Sequence, residues 1–432
     1  MNLEFISNTG LFLENKGKVF GMDLWTTQGA FEGSWHHYPP LCKTKWDVSD
    51  CSYIYISHIH PDHCDFNALK NANKNCKFIV PNYFNKLIER KLNSFGFNNV
   101  LSMKPKETIK LSDDLQVTLY PQFVNNLFEK SAFGSLIDSA LLINWENKKI
   151  LNCNDNYLTM EWAKKFKEEN KIIDLLLAPH SASGPYPASF RNLTTEIKKK
   201  EVKRLQQQYI NHWSDVVKII SPKMAAPCAA EYIIVGEQSW KNPYIGLASA
   251  KEAKKNFDKR FGKNYTKTFA MDCGTILNLN TMKVKNKLNR NFSEKYKKNY
   301  ISQRTNIQYD YHWEDTFQES NFDDLMIKAR QNLWEKQKKL NWKNNYNLYL
   351  SIDEEPKYTF NFSSPEVEII KDKKFKRAEP YLECFLSKQL FYRIITSKIH
   401  WNNAEGGLHI DFFRKPNKYV PEVFTLMSFL QS

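Results

Sequence analysis

The sequence predicts an α/β protein with a smaller α+β unit after it. Three observations lead there. Short β-branched and aromatic runs alternate with amphipathic stretches through the first two thirds of the chain. One of these runs, 53–56, opens directly onto three histidines and an aspartate. A charged, asparagine-rich stretch at 283–304 then precedes a second set of elements in the order helix, strands, helix, strand. The expected division is a metal-binding domain at 1–282, a linker at 283–304 and an α+β domain at 305–432.

Residues 3–6, 11–13 and 18–20 read as short strands, with turn signals at Asn8-Thr9-Gly10 and Asn15-Lys16-Gly17. The third runs into Gly21-Met22-Asp23-Leu24-Trp25. An aromatic loop follows at 31–40 and holds Trp35, His36, His37 and Tyr38. Such a loop serves as a substrate wall or simply as packing. His36 and His37 are adjacent and point oppositely in extended chain, so at most one reaches a shared site.

After the histidine cluster, 66–73 reads as a short helix and 78–80 as a strand. Residues 83–95 form an amphipathic pattern, with Phe84, Leu87, Ile88 and Leu92 on one side and Gly96 at the end. Strands are expected at 100–103, 107–111 and 115–120. Residues 139–144 and 148–155 make a hairpin around Glu146-Asn147, and the second arm ends in Asn154-Asp155. Asp155 is a candidate ligand, or the cap of a following helix. Residues 174–180 form a buried strand ending in His180, which reads as a catalytic or rim residue or as a structural histidine. A long basic helix follows at 196–220, then strands near 223–228 and 269–277.

Beyond the linker, a helix is expected at 322–340 and strands at 347–352, 358–362, 367–370 and 381–386. A helix at 388–396 and a strand at 406–413 follow. Trp401 and Asn402 offer an aromatic face and an amide edge, suited to a sugar or nucleotide, or else a structural turn.

The chemistry concentrates at 58–63. His58 and His60 alternate, so in extended backbone they point the same way. Pro61 interrupts that register, and Asp62 and His63 then face a second point nearby. An imidazole pair beside a carboxylate–imidazole pair suits two adjacent metal ions.

Composition excludes several classes. Hydrophobic residues make up 42% and aromatics 14%, which argues against disorder. The eight cysteines are scattered with no C-x-x-C, as for reduced thiols rather than a disulfide frame. No run approaches the roughly 18 apolar residues of a membrane span. The N-terminal residues lack the pattern of a secretory signal, and a cytoplasmic protein is expected. The net charge of +15 fits nucleic acid, a membrane surface or an anionic substrate, or simply a Lys- and Asn-rich compositional bias. Its basic stretches have few interleaved aromatics, so nucleic-acid binding is not expected.

The pattern His-x-His-x-Asp-His after an apolar strand resembles the metallo-β-lactamase superfamily. The resemblance implies an αββα sandwich of two mixed sheets. It implies that His58 and His60 serve one metal, that Asp62 and His63 serve a second, and that Asp155 bridges them. Asp62 would be ligand or general base. Zinc is the default, with iron or manganese as alternatives, in one or two ions. The chain departs from the superfamily pattern in two places. No histidine lies between His63 and His180, and Pro227-Cys228 stands where a last histidine is usual.

Asp23-Leu24-Trp25, Gly33-Ser34-Trp35, Asn154-Asp155 and 401–407 look similar to the metallo-β-lactamase-like part of CMP-N-acetylneuraminate hydroxylase. Ascorbate-6-phosphate lactonase-like proteins are a further likeness. The Rieske ligand pattern C-x-H with C-x-x-H is absent from these residues. The α+β order of the C-terminal part is similar to a sterol-carrier-protein-like domain. These resemblances imply a metal-dependent enzyme acting on a small anionic sugar or sugar nucleotide, by hydrolysis. Trp35, His37, Trp401 and Asn402 would bind the substrate, and Asp62 and His180 would act in catalysis. The alternatives are a hydroxylase with a separate electron donor, a degenerate metal-binding protein, or a nucleic-acid-processing member.

Overall fold

The computed structural model describes residues 1–181, 183–229, 231–262, 265–286, 292–313, 321–372 and 375–432. Its first sheet has eight strands. In spatial order they are Lys283–Asn286, Thr275–Asn278, Asn2–Ser7, Gly10–Asn15, Lys18–Met22, Cys51–Tyr55, Lys77–Pro81 and Val100–Met103. Pairing is antiparallel up to Lys18–Met22 and parallel beyond it.

The second sheet has seven strands: Lys267–Thr268, Met224–Cys228, Leu175–Pro179, Lys148–Asn152, Ser139–Trp145, Leu115–Pro121 and Thr108–Ser112. The first four are mutually parallel and the rest form antiparallel hairpins.

Both sheets are buried on both faces, so their central strands are apolar throughout. Tyr53 and Tyr55 point into the core between the sheets, together with Phe5, Leu13, Leu141, Ile143 and Leu177. Ile54 and Ile56 point outward and are covered by Ala68, Leu69, Ile88 and Leu92. The far face of the second sheet packs Leu142, Leu151 and Leu176 against Phe166, Trp213, Val217 and Phe257. The result is the α/β sandwich expected from the sequence, helix–sheet–sheet–helix. The basic helix Thr195–Ile220 forms part of that outer layer. Its Trp213, Val216 and Val217 are buried while Lys199, Lys200 and Lys203 are exposed.

A five-stranded mixed sheet builds the C-terminal unit, ordered Glu368–Ile369, Glu355–Asn361, Asn347–Ile352, Tyr381–Leu386 and Asp411–Lys415. Helices Phe322–Lys339, Lys388–Ile395 and Pro421–Met427 share its core. The unit is joined to the sandwich by backbone as well as side chains. Arg191 N–H donates to Phe412 O at 2.7 Å and Phe412 N–H to Ser189 O at 2.8 Å. Buried Lys241 Nζ donates to Leu408 O and pairs with Asp411, each at 2.6 Å.

Several local expectations change. The helix expected from 83 begins only at Leu87, because Lys86 adopts φ +50 and Tyr83 is tied to the carbonyl of Ser57. Phe84 therefore leaves the apolar face and is 80% exposed. Residues 283–304, expected as a linker, contain the edge strand Lys283–Asn286 and the helix Glu294–Ser302. Residues 401–406 form a helix, and the following strand starts at Asp411. Among the described residues, no helix is long and apolar enough to cross a membrane.

Phe190 stacks on Phe412 with centroids 5.3 Å apart, at the seam between sandwich and C-terminal unit. Substitution Phe190→Ala is expected to lower unfolding free energy by about 3–5 kcal/mol, the cost of a buried aromatic. Denaturant unfolding measures this, and unchanged stability would show that the seam carries no load.

Candidate metal centre

The parallel strands of both sheets deliver their C-terminal ends to one edge of the sandwich. Asp23 follows the strand Lys18–Met22, Ser57 and His58 follow Cys51–Tyr55, and Asp155 follows Lys148–Asn152. Ser57 is clamped from both sheets: its carbonyl accepts from Tyr83 Oη at 2.8 Å and Ser139 Oγ at 2.7 Å. The histidine-bearing turn therefore starts from a fixed point.

Asp23 is fully buried at φ +44, a left-handed conformation that aspartate tolerates better than most residues. Its Oδ1 accepts from Ser57 N–H at 2.7 Å, and its Oδ2 from Ser57 Oγ at 2.7 Å and His63 Nδ1 at 2.8 Å. A carboxylate only accepts, so two proton positions follow. His63 therefore carries a proton on Nδ1, and its Nε2 faces the cluster. The Ser57 hydroxyl gives its proton to Asp23, so its oxygen receives the Nδ1–H of His58 at 2.9 Å. His58, which burial keeps neutral, then has a bare Nε2.

Both Nε2 atoms face other polar groups of the cluster. His63 Nε2 lies 3.3 Å from Asp62 Oδ2 and 3.2 Å from Asp155 Oδ2. Buried Asp155 Oδ1 has no hydrogen-bond partner among the described residues. His58 Nε2 lies 2.8 Å from His60 Nδ1 and 3.9 Å from Asp138 Oδ1. Ligand atoms of His58, His63 and Asp155 all lie within 4.8 Å of one another. Imidazoles and carboxylates converging on one buried space fit a first-row divalent cation.

The electrostatics agree. Burial opposes charge on His63, yet Asp62, Asp155 and Asp23 outweigh it and hold its pKa well above the ordinary value. Burial pushes His58 and His60 down, which keeps them in the neutral form that binds metal. Asp62 is anchored by Asn8 Nδ2 at 2.8 Å. Asp155 reaches the cluster because Asn154 turns the chain at φ +51. The following helix starts at Met160 under a Thr159 cap, so Asp155 is not its cap.

The structure brings His58, His60, Asp62, His63, Asp155 and Asn402 together. Asn402 Oδ1 lies 2.7 Å from His60 Nε2. Other expected site residues are corrected. His180 is fully buried with Nδ1 and Nε2 each 2.9 Å from a carbonyl, of Cys228 and Ala248, so neither nitrogen faces a substrate. His37 is spent on Ser7 Oγ at 2.7 Å and Thr27 O at 3.0 Å, and stacks on Trp25. Trp35 stacks on Tyr232 at 3.3 Å, packs on Phe31 and donates Nε1–H to Gly406 O, so it presents no open face. Trp401 is 1% exposed in the C-terminal core.

Two site residues escaped the sequence reading. Asp138 precedes the strand Ser139–Trp145, and burial, with help from Asp155, pushes its pKa up to about 7. It starts an antiparallel strand, so it lies at the edge where the parallel neighbours end. Tyr232 has a buried hydroxyl without a partner among the described residues. Burial raises its pKa, and Asp62 and Asp155 add to the effect. Only the pairing of Tyr232–Ile234 with Trp35–His37 places it there. Burial also pushes the Cys228 thiol well above its usual range, which makes it a poor ligand.

No family model matches the chain. A Mycolicibacterium smegmatis protein named as a Rieske 2Fe-2S iron–sulfur protein is 27% identical over 160 residues, 36% of this chain and 30% of that protein. The cytidine monophosphate-N-acetylneuraminic acid hydroxylase of Xenopus laevis is 25% identical over 229 residues, 52% of this chain and 36% of its own length. The chain thus spans about a third of the length of these curated relatives.

Among solved structures, a metallo hydrolase of Ignicoccus hospitalis is similar at 17% identity and TM-score 0.43, covering 64% of this chain and 97% of its own. A diiron β-hydroxylase of Streptomyces venezuelae is similar at 15% and 0.44, covering 64% and 53%. A metallo-β-lactamase-fold protein of Bacillus subtilis is similar at 8% and 0.39, covering 64% and 97%. The superfamily and the hydroxylase suspected from the sequence both recur among these matches.

A cation entering the centre must displace the proton held at His63. Zinc uptake at pH 7 is expected to release about one proton, with apparent affinity rising as pH increases through neutrality. Calorimetry in buffers of different ionisation enthalpy measures this. Uptake without proton release would show that His63 starts neutral. Substitution Asp23→Asn is expected to weaken metal affinity about 10–100-fold, as for loss of a carboxylate behind a ligating imidazole. A competition titration against a chromophoric chelator reads it, and equal affinities would remove Asp23 from the centre.

Proposed function

We propose that the chain is a metal-dependent enzyme of the metallo-β-lactamase superfamily that hydrolyses a small anionic, sugar-containing substrate. One observation carries the metal reading: buried His63 Nε2 lies 3.3 Å from Asp62 Oδ2 and 3.2 Å from Asp155 Oδ2, and ligand atoms of His58, His63 and Asp155 lie within 4.8 Å of one another. In this reading His58 Nε2, His60 Nδ1 and Asp138 would hold one ion, and Asp62 and His63 Nε2 a second, with Asp155 also among the ligands. Asp138 takes the place of the superfamily's third imidazole. Zinc suits the set, and its carboxylate content also suits iron or manganese.

When bound, the ion supplies Lewis acidity and a water whose pKa falls to about 7. The chain does the rest. Asn8 fixes the orientation of Asp62, the carboxylate placed to take a proton from an attacking water. Burial keeps His58 and His60 from capturing that proton. The half-exposed His60 and Asp155 mark the side from which a substrate enters. The sugar-nucleotide class is supported by the name of the Xenopus relative and by the net charge of +15.

A second reading is hydroxylation, favoured by the carboxylate-rich donor set with Asp138 in it. No Rieske ligand pattern lies within these 432 residues, so this reading needs an electron donor outside them.

The test is turnover of sugar phosphates and sugar nucleotides by protein loaded with zinc or with iron. Product formation by the zinc form without oxygen supports hydrolysis. Product only from the iron form, with oxygen and a reductant, supports the second reading. Variant Asp138→Ala is expected to retain less metal than wild type, read by plasma emission spectroscopy. Equal content in both would remove Asp138 from the ligand set.

A further inference from the structure

Asn402 lies 342 positions from His60 in the chain, yet the two side chains meet at 2.7 Å. The helix that carries it, Trp401–Gly406, is held from several directions. His400 Nδ1 accepts from Asn402 N–H at 3.3 Å, and Trp401 and Ala404 are buried. Gly406 O accepts from Trp35 Nε1 at 3.1 Å, and His409 Nε2 meets Phe31 O at 2.9 Å. Lys241 ties down Leu408 O. The backbone beneath Asn402 is thus anchored to the aromatic loop, and its exposed side chain starts from a fixed base.

A carboxamide oxygen only accepts, so this contact requires the proton of His60 on Nε2. A neutral imidazole carries one N–H, so Nδ1 is bare. Nδ1 lies 2.8 Å from His58 Nε2, which Ser57 and Asp23 have also left bare. Two lone pairs at that distance repel unless a cation lies beside both. If the amide instead presented its NH2 to Nε2, the ring proton would sit on Nδ1. It would then close a hydrogen bond to His58 and block both nitrogens.

We propose that Asn402 is a positioning residue: the C-terminal unit sets the tautomer of His60 and thereby completes the metal centre of the sandwich. This rests on the metal reading proposed above. The same face of the chain that sequence resemblance marked for substrate instead holds a ligand from behind. The sandwich supplies the ligands, and the appended unit determines which nitrogen one of them offers.

The test compares wild type, Asn402→Leu and Asn402→Asp, each stripped and titrated with zinc against a chromophoric competitor. Asn402→Leu removes the acceptor at similar size and is expected to weaken affinity about 10–100-fold. Asn402→Asp cannot present an NH2 and is expected to restore wild-type affinity or exceed it. Thermal unfolding of the metal-free forms should be alike. Histidine-labelled NMR of zinc-loaded wild type should show His60 protonated on Nε2. Zinc bound equally by wild type and Asn402→Leu overturns the positioning role alone. Equal weakening in the Leu and Asp variants also overturns it, because shape rather than an acceptor would then matter. Wild type that takes up no zinc, iron or manganese overturns the metal reading itself.

Discussion

The carboxylate of Asp23 determines the state of two histidines at once. It accepts the Nδ1 proton of His63 directly and that of the Ser57 hydroxyl, which makes Ser57 an acceptor for His58. Both rings then turn Nε2 into a buried space that already holds Asp62 and Asp155. Burial alone would favour neutral, mutually satisfied groups. The structure instead gathers carboxylates around His63, and positive charge at that point, a second proton on the ring or a metal ion, relieves their repulsion. Most other features of the edge serve to hold this arrangement in register.

The sandwich provides that register. Parallel pairing of Lys18–Met22 with Cys51–Tyr55 sets Asp23 beside Ser57, and the second sheet brings Asp155 and Asp138 across the core. Ser139 joins the layers, since its hydroxyl meets Tyr55 Oη and donates to the Ser57 carbonyl. Asn8 links the first hairpin to Asp62. Asp62, His63 and His58 are thus held by neighbours from other segments, the kind of support that fixes the orientation of candidate ligands.

The C-terminal unit adds a constraint from outside the sandwich. Its contacts at 401–411 absorb the aromatic loop that the sequence offered as a substrate wall. Trp35 and Phe31 become part of a seam with Leu408, and the open surface beside His60 is left to Asn402. Buried Lys241 is possible there because Asp411 and a carbonyl both receive it.

Much of the fold was legible in the sequence because strand and helix periodicity is written in consecutive residues. The central strands read as apolar runs, and His58, His60, Asp62 and His63 lie within six positions at the end of one of them. Asp155 was legible for the same reason, at the end of a hairpin arm. Phe84 misled, because a helical pattern does not reveal where a left-handed residue such as Lys86 delays the helix. Tertiary structure alone decided the partners of each imidazole. His37 and His180 look like site residues in the sequence, but packing gives their nitrogens to hydroxyl and carbonyl groups. Asp138 looks ordinary and Asn402 reads as a substrate contact, but sheet registry and the seam bring both beside the histidines. The physical reason is that a side chain's identity is local, whereas the atom that receives its hydrogen bond is chosen by segments far away in the chain.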